Sequence, residues 1–112
     1  MRHVLTALLL FSLAGCAGAD RPLTLSEFYG FCWPMQQGSG CWDDNLCEDY
    51  RGFLQQEQTS KAECIKGCNE IETMEWRQNA LRGCDGSIRN ATDWCEKYCR
   101  RLFDYGNPAQ AE

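Results

Sequence analysis

From residue 24 onward the apolar positions recur every three or four residues rather than every second one, which is the spacing of helices. Thr24-Leu25-Ser26-Glu27 has the Ser/Thr-x-x-Glu form of a capping box, whose side chains satisfy the free amides at a helix start. It predicts a short helix through Phe28 and Tyr29 that ends by Gly30. The stretch CWPMQQGSGC, Cys32 to Cys41, reads as a loop, with Pro34 as helix breaker and Gly38-Ser39-Gly40 for flexibility. A second helix is predicted to start at Asp43 or Asp44, where acids suit the positive end of the helix dipole. It runs through NLCEDYRGFLQQ with Leu46, Cys47, Tyr50, Phe53 and Leu54 facing inward. Gly52 in its middle costs about 1 kcal/mol relative to Ala.

Ser60-Lys61-Ala62-Glu63 is a second capping box, and beyond it Cys64, Cys68, Ile71, Met74 and Leu81 keep roughly helical spacing. Gly83 to Gly86 reads as a turn. The last helix carries Ile88, Ala91, Cys95, Cys99 and Leu102 along one stripe and ends before Gly106-Asn107-Pro108. Alternation is nearly absent, so the expected fold is all-α. Residues 24–105 form the helical domain and 106–112 a flexible tail.

The start of the chain has another pattern. Arg2 and His3 precede an apolar run from Val4 to Leu13, broken only by Thr6 and Ser12. A membrane span needs roughly 20 apolar residues, so the run suits the core of an export signal instead. Leu13-Ala14-Gly15-Cys16 resembles the lipobox of bacterial lipoproteins. The resemblance implies that residues 1–15 are a cleaved signal peptide, that Cys16 carries palmitate-type acyl chains, and that 16–23 is a tether. Ala17, rather than Asp, after the cysteine resembles the outer-membrane sorting default. The competing reading is ordinary secretion with cleavage after Ala19, since Ala17-Gly18-Ala19 satisfies the small-x-small rule.

Cleavage before Cys16 removes the first fifteen of 112 residues, with one of eleven basic residues and none of sixteen acids, so the net charge moves from −5 to −6. An acidic surface disfavours nucleic acid and anionic lipid. Membrane association is therefore expected from acyl chains, at about 0.8 kcal/mol per buried methylene. The only histidine, His3, lies in the leader. The mature chain thus lacks Ser-His and Cys-His pairs, His-ligated zinc and Cys-x-x-Cys-His haem attachment. No catalytic residue, metal or cofactor is expected.

Of the nine cysteines, eight follow Cys16: Cys32, Cys41, Cys47, Cys64, Cys68, Cys84, Cys95 and Cys99. An even set in an exported chain of this size reads as a disulfide framework. CIKGC and CEKYC are Cys-x3-Cys pairs on predicted helices, with both sulfurs on one face about 6 Å apart along the axis. Two such helices packed antiparallel take two rungs, Cys64–Cys99 and Cys68–Cys95. The arrangement is similar to the twin Cys-x3-Cys hairpins of plant α-hairpinins over residues 60 to 103, a likeness of architecture that transfers no function. Those rungs centre the hairpin at residues 81–82, whereas the turn residues centre near 84, so the first helix must end early or the pair must slide. If the second and third helices fold back near Gln58, residue 32 lies level with residue 85. That favours Cys32–Cys84 and a local Cys41–Cys47. A four-thiolate zinc site is the rival reading, weakened by the oxidising compartment. No Cys-x-x-Cys suggests a redox enzyme. Asn90-Ala91-Thr92 has the form of a glycosylation acceptor by chance, near a helix start.

All the aromatic residues except Phe11 lie beyond the leader. They supplement a small core, and Trp33, Trp42 and Trp76 are candidates for a protein-binding surface, since Trp and Tyr are favoured anchors. The sequence thus leads to a cysteine-rich, non-catalytic lipoprotein on the outer membrane facing the periplasm, held by Cys16 and binding another envelope protein. The alternative is a freely secreted disulfide-rich effector or inhibitor.

Overall fold

Two reciprocal side-chain bonds open the folded part. The Glu27 amide donates to Thr24 Oγ1 at 3.1 Å, and Glu27 Oε2 accepts from the Thr24 amide at 2.9 Å. They start α1, Leu25–Gln37, and three helices follow: α2, Leu46–Leu54; α3, Lys61–Gln78; and α4, Asp85–Tyr105. This computed structural model describes residues 21–37 and 45–106, and among them there is no strand. The fold is a small disulfide-stapled all-α domain.

The helices alternate in direction. Phe28 and Cys32 meet Tyr50 and Cys47 in reverse order, as do Phe31 and Met35 with Asn90 and Ser87. α4 packs against all three other helices. Its stripe of Ile88, Ala91, Cys95, Cys99 and Leu102 is buried, together with Phe28, Leu46, Tyr50 and Leu54. Tyr50 and Thr92 share a hydrogen bond of 2.7 Å across this core, and Thr92 Oγ1 also donates to the Ile88 carbonyl at 2.9 Å. The Thr92 hydroxyl proton is thereby used, so Tyr50 is the donor.

α1 overturns the expected loop over residues 32–37, and the rest of that stretch, 38–41, lies outside the described residues. It continues through Gly30 and Pro34 to Gln37. A proline ring inside a helix clashes with the carbonyl four residues back, which here belongs to Gly30, a residue with no Cβ and open space around it. Long-range contacts then hold the last turns. Phe28, Cys32 and Gln36 are buried at a spacing of four, and Gln36 Oε1 accepts from the Cys47 amide at 3.1 Å. Asn90 and Ser87 donate to the carbonyls of Phe31 and Met35.

α2 starts at Leu46, with Asn45 at its N-cap, rather than at Asp43 or Asp44. α3 begins on the second capping box, Ser60 Oγ accepting from the Glu63 amide at 3.1 Å. It ends at Gln78, so the connecting loop, 79–84, is centred between residues 81 and 82, where the cysteine spacing puts it. Asn79 closes the helix by donating through Nδ2 to the carbonyl and Oε2 of Glu75. Gly83, at φ +71°, takes the left-handed step that reverses the chain. The early stop also throws Leu81 off the helical stripe, and it is 99% exposed; Met74 is 38% exposed and its neighbour Glu75 is buried instead.

The bridges are Cys64–Cys99, Cys68–Cys95 and Cys32–Cys47, with Cα–Cα distances of 5.7, 5.9 and 5.9 Å. The last corrects both Cys32–Cys84 and Cys41–Cys47. Residues 32–37 rise 1.5 Å each as helix rather than stretching as loop, so Cys32 faces α2 instead of reaching the hairpin tip. Cys84 is disulfide-bonded as well, to none of these six. Cys41 lies outside the described residues.

The folded body also starts earlier than Thr24. Leu23 is buried, Arg21 forms a two-pronged ion pair with Glu27, and the Pro22 ring packs on Gly106. Lys61 pairs with Asp104 near this pole. Met35, Ser87 and the loop 79–84 form the opposite one.

Candidate partner-binding surface

Burial of Phe28, Cys32 and Gln36 leaves the residues between them on the flanks of α1. On one flank Tyr29 and Trp33 stack at 5.7 Å with their rings 15° apart, and the Arg51 guanidinium lies 5.3 Å from the Tyr29 ring. Partial burial, and secondly the Glu48 carboxylate, raise the Tyr29 pKa above its usual value. On the other flank Phe31 stacks on Trp94 at 4.0 Å, and Lys97 Nζ lies 4.3 Å from the Trp94 ring. Phe31 and Met35 on one flank and Trp33 on the other are 45%, 47% and 36% exposed, so large apolar side chains border both edges of the outward face of one short helix. An outward face bordered in this way is what a partner's surface would cover.

Of the three tryptophans singled out from the sequence, Trp33 belongs to this border. Trp76 does not: it is half-buried against the core, its Nε1 donates to Glu72 Oε1 at 3.4 Å, and Arg89 lies 5.9 Å from its ring. Trp42 and Cys16 lie outside the described residues. Tyr29, Phe31, Met35 and Trp94 were not singled out. Their signal is the pairing of 29 with 33 and 31 with 35, which exists only if the helix is read through Pro34.

The sulfurs of Cys68, Cys95 and Cys99 lie within 4.8 Å of one another, close enough to suggest a metal site. All three are in disulfides, and a disulfide sulfur is not a thiolate ligand. The cluster is two rungs stacked one helical turn apart, with Cys68 Sγ 3.6 Å from Cys99 Sγ.

The fold and its bridges define a class, the disulfide-stapled helical domain. No protein family, curated protein or solved structure matches the chain.

Proposed function

We propose that the protein is a non-catalytic lipoprotein of the bacterial envelope, anchored through acyl chains on Cys16, which acts by binding another envelope protein through the exposed face of α1. The observation that carries the reading is the exposure of Phe31 and Met35 on one flank and Trp33 on the other flank of a helix that three core residues and a disulfide hold rigid. A rigid aromatic surface loses little conformational entropy on binding, which favours affinity.

The lipobox Leu13-Ala14-Gly15-Cys16 supports the anchor, and the short link from Cys16 to the folded body at Arg21 supports a domain held close to its membrane. α4 is about 31 Å long at 1.5 Å per residue, and Met35 lies by its first turn while Pro22 lies by its last. A tether entering at Pro22 leaves the outward face of α1 toward the far pole, available to a protein in the periplasm. The secreted alternative rests on Ala17-Gly18-Ala19, and intact mass decides between them: an acylated N-terminal Cys16 or a bare Asp20.

A photo-reactive residue at position 33 should capture a discrete partner in intact cells, and one at Arg100, an exposed position on α4, should not. Phe31→Ser with Met35→Ser should abolish that capture while the thermal transition stays cooperative. Equal capture from both positions would overturn the binding surface, and a non-acylated mature chain would overturn the anchor.

A further inference from the structure

α2 and α3 enclose an open groove of about 530 Å³ on the side of α2 away from α1. Its floor is Phe53, Ile71 and Met74, and it is narrow in side chains because Gly52 and Gly67 contribute none. Its rim carries Glu48, Asp49 and Glu70, and among the described residues no Lys or Arg lines it. We propose that this groove takes a short basic amphipathic helix of a partner protein, with apolar side chains on the floor and Lys or Arg against the rim.

Length, charge and exclusion each point to this occupant. The α2 wall runs from Glu48 to Gln56, about 12 Å, which accommodates two apolar side chains one helical turn apart. Arg51 lies 3.6 Å from Glu48 and Lys66 lies 3.9 Å from Glu70, but these are exposed pairs, worth about 0–1 kcal/mol and easily exchanged for a partner's cations. Asp49 has no such neighbour among the described ion pairs. The chain's own remaining segments do not complement the rim: residues 16–20, 38–44 and 107–112 contain acids and no Lys or Arg. A second copy is disfavoured as well, since each mature chain carries a net charge of −6.

The inference rests on the protein-binding reading but not on the α1 face or the lipid anchor. The test uses the full mature chain and a fluorescein-labelled 14-residue helical peptide of Leu, Lys and Ala with leucines at i, i+4 and i+7. A second peptide with Glu for every Lys is the control. Anisotropy should show saturable binding of the lysine peptide that weakens with salt, and none of the glutamate peptide. The Met74 methyl and Gly67 amide resonances should shift, those of Phe31 and Trp33 should not. Asp49→Lys with Glu70→Lys should weaken binding at least tenfold. Should those reversals disturb the fold, Gly52→Leu gives a separate test: it points into open space and should block the groove, again at least tenfold, without loss of stability. Unchanged binding by Gly52→Leu, or binding of both peptides alike, overturns the groove. Shifts confined to Phe31, Trp33 and Met35 also overturn it while leaving the protein-binding reading intact.

Discussion

The Phe53 ring fills the space where a side chain on Gly67 would begin: a Cβ there would stand 2.0 Å from Phe53 Cζ. This contact joins α2 to α3. Gly67→Ala gains about 1 kcal/mol of helix propensity but must push the ring aside, at about 1–3 kcal/mol. A net loss of about 1 kcal/mol is expected. Gly52→Ala meets nothing within 4 Å and should instead gain about 1 kcal/mol. Urea midpoints should therefore move in opposite directions for two glycines that line the same groove, and a common direction would contradict the packing.

Removing a rung by changing Cys68 and Cys95 together to Ala should cost about 3–4 kcal/mol, from the entropy that a bridge with a sequence separation of 27 takes from the unfolded chain. Changing Cys68 alone should give lower yields, because a stranded Cys95 exchanges into wrong bridges. Non-reducing peptide maps of the native protein should link the Cys32 peptide to the Cys47 peptide. A Cys41–Cys47 peptide would refute the helical reading of residues 32–37.

The Arg21 guanidinium, and next the Thr24 amide, hold the Glu27 carboxyl at about 2 instead of 4.5. A depressed folded pKa stabilises the protein above pH 4.5, and that contribution disappears as pH falls toward 2. Glu27→Gln should lower the thermal midpoint at pH 6, with the gap from the native protein shrinking between pH 4.5 and 2. A gap that stays constant across that interval would disprove the ionic cap.

Tyr50→Phe should cost about 1 kcal/mol, because Thr92 keeps its bond to the Ile88 carbonyl. Thr92→Val should cost more, about 1–3 kcal/mol, since it strands a buried phenol with a proton to donate. Burial also raises the Tyr50 pKa, so its ionisation should be missing from the ordinary tyrosine wave near pH 10 until the protein unfolds. Equal losses in the two variants would show that the donor is assigned the wrong way round.

Much of the fold was legible in local sequence. Ser60 and Glu63 start α3, the α4 stripe from Ile88 to Leu102 is the buried one, and the Cys-x3-Cys spacing locates the hairpin centre better than the glycines near residue 84. The passage of α1 through Pro34 was not legible, because its supports are remote: Cys47, the Asn90 and Ser87 side chains, and the coincidence of Gly30 four residues earlier. Misreading that one turn hid the two apolar flanks, which depend on 29 with 33 and 31 with 35 sharing a helix, and it misassigned Cys32. Leu81 was misplaced for a similar reason. Helical spacing carries no information past the residue where the helix stops.

The contact of Pro22 with Gly106 makes the two ends of the described fold neighbours. A domain whose entry and exit lie side by side can be spliced into a surface loop of another protein with little disturbance to either, and its ends can be rejoined by a short linker. The break can then be moved to residues 79–84, where Leu81 already stands in solvent. The molecule is thus a ready cassette, a rigid helical block that can be plugged in or re-threaded while its rungs keep their partners.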